Sequence, residues 1–226
     1  MNHDQKRRRM LLALLGSGAG LAGALRLAIA QEPNAQGLRR ATGEVRVNGQ
    51  PAAIGFPVRP GDTVVTGRGG SAVFVVGSDA FLIRDNSTAE LTGTNVLVDV
   101  LRLAAGKLLA VFGSGSDRRI FTSTGVIGIR GTGAYLESEP ARTYFCLCYG
   151  TADVIASGSA ARETYVTRHH ESPRYIYGDG RARPIVPAAV SNHTDAELIM
   201  LEALVGRTPP GSVMTGPYMN RPYPAR

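Results

Sequence analysis

With 226 residues and a mass of 23.9 kDa, the chain has room for one domain of ordinary size with a short appendage, and two large domains are excluded. Aromatic residues make up only 6% with no Trp, while 28 Gly and 13 Pro together exceed the usual share of about 12%, the composition of a turn-rich β protein rather than a helical bundle. The formal charge of +7 would suit a nucleic-acid binder, but residues 1–30 hold five basic side chains against one acid and leave 20 against 17 for the remainder, so no nucleic-acid partner is expected.

The chain opens on Lys6, Arg7, Arg8 and Arg9, followed by an apolar run over residues 10–25. That run is short of the ~20 residues a spanning helix needs. Ala28-Ile29-Ala30 then supplies a small-residue cleavage site, so residues 1–30 read as a signal peptide, with retention as an anchor the alternative. Arg7-Arg8 before Met10-Leu11 also resembles the twin-arginine export motif. The mature chain is expected in the periplasm of a Gram-negative-type bacterium, without a transmembrane span. Residues 31–42 read as a linker. From Gly43 onward, short β-rich runs alternate with turn residues: 44–47, ending in the hairpin dipeptide Asn48-Gly49, then 63–66, 72–76, 80–84, 96–103, 107–112, 120–122, 126–129, 134–137, 143–148, 152–156 and 163–167. Val73-Phe74-Val75-Val76 is apolar on both faces, as in a strand covered on both sides. Residues 43–177 are therefore expected to form an all-β domain, a sandwich, roll or short β-helix of many short strands. Segment 178–190 reads as a loop. One C-terminal α-helix is expected within 191–206, where Thr194 and Glu197 fit a capping box and Gly206 a helix end, with Leu198, Leu201 and Val205 as its apolar stripe. The tail, 207–226, reads as disordered.

Gly43-x-Val45-x-Val47-Asn48-Gly49, Gly61-Asp62-Thr63-Val64-Val65-Thr66-Gly67, Leu101-Arg102-Leu103 through Gly106-Lys107-Leu108, and Thr122 through Val126-Ile127-Gly128-Ile129-Arg130-Gly131-Thr132 together resemble the FecR-domain family. The resemblance spans roughly residues 43–157 and implies an all-β periplasmic sensing or interaction module. Full regulators of that family also carry a cytoplasmic anti-sigma segment and a membrane helix. Only nine residues precede the apolar segment here, so a stand-alone exported form is implied, binding a ligand or a periplasmic or outer-membrane protein partner. Arg130, Gly131 and Thr132 are its candidate binding residues. Read from the residues alone, Gly128, Gly131 and Gly133 would form a tight corner, with Arg130 projecting or reaching a carboxylate such as Asp62.

A second candidate site rests on soft ligands. Cys146 and Cys148 stand two apart on an expected strand and so project to one face, and a return strand about twenty residues later could bring His169 or His170 beside them. Adjacent histidines on a strand point to opposite faces, so at most one of the two would join both thiols; His193 lies further on. Such a set would suit zinc, copper or haem iron. A disulfide, a redox pair or plain core packing are the alternatives. No nucleophile elbow, H-E-x-x-H or comparable spacing ties the chain's Ser, His, Asp and Glu into a reacting geometry, so the chain is not expected to be an enzyme.

Overall fold

A computed structural model describes residues 34–94, 97–115 and 117–214. Residues 1–33, which contain the expected signal peptide, and residues 215–226 lie outside the described part. Fourteen strands form one hydrogen-bonded sheet: β1 (Gly37–Thr42), β2 (Val45–Val47), β3 (Gln50–Pro51), β4 (Thr63–Thr66), β5 (Ser71–Val76), β6 (Asp79–Ile83), β7 (Thr88–Thr94), β8 (Leu97–Val111), β9 (Asp117–Phe121), β10 (Gly125–Ser138), β11 (Thr143–Ala156), β12 (Arg162–Thr167), β13 (Arg174–Ile176) and β14 (Ile185–Pro187). One helix, α1 (Asp195–Leu204), and a single helical turn, Gly211–Met214, follow. The all-β architecture with a C-terminal helix is the one expected. Among the described residues no helix is long and apolar enough to cross a membrane.

The long strands turn one sheet into two layers. Residues 97–105 of β8 pair with β7, whereas residues 106–111 pair with β6 and β10. The bend falls at Gly106, whose φ of 93° is closed to most side chains; a Cβ there would also come within 2.4 Å of Ser87 Cα. β10 repeats the device: residues 126–130 pair with β9, residues 133–138 pair with β8, and a bulge between Arg130 and Gly133 joins the halves. The expected strand pairs 96–103 with 107–112, 126–129 with 134–137, and 143–148 with 152–156 are thus halves of three continuous strands. Glycines that resemble turn punctuation mark bends within strands. The expected linker 31–42 contains β1, which pairs with β5, and the expected loop 178–190 contains β14. Strand β7 escapes a periodicity reading because Thr88–Thr94 is mostly polar and carries Gly93 next to its end.

Alternate residues of the second layer serve two cores. Phe74, Phe81, Leu108, Leu136 and Phe145 point between the layers into the main core. Their neighbours Val73, Val75, Leu82, Leu109 and Tyr135 form the outer face, which packs against Leu198, Leu201 and Val205 of the C-terminal segment. That double burial accounts for the run Val73 to Val76, apolar on both sides. The helix starts as its sequence dictates: Thr194 Oγ1 accepts from the Glu197 amide at 3.2 Å, and the Glu197 carboxylate accepts from the Thr194 amide at 2.9 Å. Gly206, with φ of 68°, follows its end.

Candidate metal centre

The outer face of β11 carries Tyr144, Cys146 and Cys148, because strand residues two apart share a face. Strand β12 returns antiparallel along β11, with Thr167 opposite Gly150, so the chain just past β12 runs back beside Cys148. There the His170 amide donates to the Cys148 carbonyl at 3.0 Å, and the residue adopts a left-handed φ of 55°. Its Nδ1 comes to 3.4 Å from Cys146 Sγ. From the other side arrives His193, immediately before the helix cap. Its ring stacks on Tyr135 at 4.6 Å between centroids, and its Nε2 lies 3.6 Å from Cys148 Sγ. The ligand atoms of Cys146, Cys148, His170 and His193 all lie within 4.8 Å of one another. Both cysteines and His193 have no exposed surface, and His170 is 4% exposed.

The far nitrogens of both rings are engaged by groups that can only accept. His170 Nε2 is 3.0 Å from Asp195 Oδ1, and His193 Nδ1 is 2.7 Å from the Ser191 carbonyl. A carboxylate and a carbonyl each require an N–H, which assigns the tautomers. In the neutral rings, His170 Nδ1 and His193 Nε2 are then left as lone pairs, and they face each other at 3.1 Å. Two lone pairs at that distance repel unless a proton or a metal cation lies with them.

Electrostatics inside the cluster are polarised. Burial pushes the Cys146 thiol up, but the hydrogen bond from Cys148 and the rings of His193 and His170 outweigh it and hold Cys146 well below the usual thiol range. Cys148, buried and beside that thiolate, is pushed well above it. Burial works against a charge on His170, yet Cys146 and Asp195 raise it above the ordinary imidazole value.

Of the sequence candidates, the structure brings Cys146, Cys148 and His170 together and leaves His169 out. His169 instead hydrogen-bonds through Nε2 to both oxygens of Asp195, at 3.0 and 3.1 Å. Both cysteines are free thiols. His193, noted in the sequence only as lying further on, joins the set, and Asp195 is the residue sequence reasoning missed. Counting would have found the role of His193: two Cys and one His leave a tetrahedral set one ligand short, and His193 is the remaining histidine beyond residue 30.

The other candidate site is more open. Arg130 does not reach Asp62, which instead accepts from Asn48 Nδ2 and the Arg59 amide, both at 2.7 Å, and steadies the first hairpin. Arg130 pairs with Asp153 at 2.8 Å and with Asp117 at 3.4 Å, on the rim of a half-open depression of about 450 Å³ that Arg119, Arg162 and Ile155 also line. Gly131 borders a neighbouring depression. Thr132, in contrast, is fully buried and cannot meet a ligand from solvent; it lies within the bulge, which turns the side chain inward.

No protein-family model and no curated protein matches the chain. Among solved structures, two crystal structures of a candidate anti-sigma factor from Parabacteroides distasonis are similar, each at 9% identity with a TM-score of 0.47, covering 64% of this chain and 74% of that one.

Proposed function

We propose that this chain is an exported β module that binds one zinc-type divalent cation in a closed centre made by Cys146, Cys148, His170 and His193. The observation that carries the reading is the meeting of His170 Nδ1 and His193 Nε2 at 3.1 Å, each a lone pair in the neutral ring because its far nitrogen serves an acceptor. A cation resolves that repulsion, and the two thiols at 3.4 and 3.6 Å complete a soft donor set. With Zn–N near 2.0 Å and Zn–S near 2.3 Å, neighbouring ligands of a tetrahedral zinc stand roughly 3.3–3.8 Å apart, so these side chains need little adjustment. Asp195 behind His170 is the carboxylate that commonly orients a metal-bound imidazole. Burial on every side leaves no open coordination position, which favours a structural metal over a catalytic one and gives no room for a porphyrin. The FecR-like signature and the export segment favour a periplasmic sensing or interaction module, where ligation would also protect two thiols from oxidation.

Metal analysis of the full mature chain, purified with zinc present and dialysed, tests the reading. One zinc per chain is expected. The His169→Ala variant should keep it, and the Cys146→Ser/Cys148→Ser double variant should lose it. A wild-type chain that takes up neither zinc nor cobalt(II) would sink the proposal.

A further inference from the structure

We infer that the metal is a latch: it holds the C-terminal strap, residues 188–214, over the outer face of the sheet, so that metal loss uncovers that face while the sandwich stays folded. The inference rests on the metal reading above. Cys146 and Cys148 belong to β11, the second longest class of strand in the sheet, whereas His193 and the orienting Asp195 belong to the strap. The centre therefore spans a seam between two parts of the fold. On one side lies a sheet held by continuous ladders; on the other lies a segment whose one helix has ten residues, too short to persist alone in water.

The strap's other polar anchors are mixed: Tyr149 donates to the buried Glu202 carboxylate, Tyr144 Oη donates to the Ala189 carbonyl at 3.0 Å, and His169 and His170 meet Asp195, while the rest are partly wet. Arg84 pairs with Glu197 at 2.8 Å with both side chains over a quarter exposed, Asn192 Nδ2 donates to Glu137 at 2.6 Å at the surface, and Arg207 Nη1 donates to the Ser78 carbonyl at 2.6 Å. Exposed contacts of this kind contribute little each. The apolar contacts of Leu198, Leu201 and Val205 favour docking, but docking also brings His193 Nε2 against His170 Nδ1 in a buried site. With metal present, that approach completes the coordination shell. With metal absent, it confines two lone pairs or an extra buried charge, and swinging the strap away relieves both. Metal binds the docked form with four ligands and the undocked form with three at most, and a ligand shifts an equilibrium by its differential affinity. Undocking would expose Val73, Val75, Leu82, Leu109 and Val111 as one apolar patch.

Amide hydrogen exchange on the full mature chain, with zinc and after chelation, separates the outcomes. The expected result is that amides of residues 196–205 exchange at least about tenfold faster after chelation, while amides of β8 and β10 keep their protection. A His193→Ala variant, which cannot close the centre across the seam, should show the same helix exchange with and without zinc. If the chain binds no zinc, the metal reading fails and the latch with it. If zinc binds but helix exchange is the same with and without it, the latch alone is overturned. If chelation releases β8 and β10 together with the helix, the metal holds the whole fold and the latch is likewise overturned.

Discussion

Asp195 illustrates how one buried side chain can govern a site it does not enter. Its carboxylate receives His169 and His170 together and has no exposed surface, so it holds the His170 ring with Nδ1 turned toward the thiols. Replacing it by Asn should leave the fold intact and weaken zinc binding by roughly 10–100-fold, read by competition with a chromogenic chelator; unchanged affinity would mean that packing alone orients the ring. Affinity should also depend on pH with a definite sign. Because Cys148 and His170 are both raised above their ordinary values and must give up protons to bind metal, protons compete throughout the neutral range, and binding weakens as the solution is acidified. Each proton displaced costs about tenfold in affinity per pH unit, so zinc titrations at three pH values give the count. A second buried pair serves stability alone. Asp79 accepts from Arg118 Nε at 2.7 Å and from the Gly113 amide at 2.8 Å, with both side chains at most 2% exposed. Asp79→Ala would strand the guanidinium in the interior, and urea unfolding should show a loss of about 3–5 kcal/mol.

The helix reads correctly from its sequence because its signals are local. Thr194, Glu197 and Gly206 act within one turn of the helix ends, and the structure keeps all three roles. Its partner surface is set by long-range contacts: Leu198 and Leu201 are fully buried against the outer face of the sheet. Leu201→Ala is therefore expected to destabilise the zinc-bound chain by about 2–5 kcal/mol, the usual penalty for emptying a buried leucine site. A loss below roughly 0.5 kcal/mol would place the stripe at a solvent boundary. Strands β8, β10 and β11 show the opposite case. Each is interrupted in sequence by Gly or small residues that resemble turns, and each continues through the interruption because neighbouring strands supply ladder partners on both sides.

For the chain as one cooperative unit, a metal that binds the folded state and not the unfolded one adds stability by mass action. At free zinc about 100-fold above its dissociation constant the gain should be about 2.7 kcal/mol, seen as a rise in Tm that vanishes in the Cys146→Ser/Cys148→Ser variant. An unchanged Tm in saturating zinc would mean that metal binds both states alike. The sequence alone determines what local rules and alternation can carry: an all-β class, a hairpin at Asn48-Gly49, the capped helix, and two thiols on one face of β11. It also brings His170 within reach, because a return strand is a local construction. Tertiary structure alone decides that His193 joins it and His169 does not, since residues 146 and 193 are linked by no period; only the docking of the strap on the second layer brings them together. The two-layer fold was hidden for the same reason: whether a glycine ends a strand or bends it depends on partners supplied from far along the chain, such as Ser87 beside Gly106.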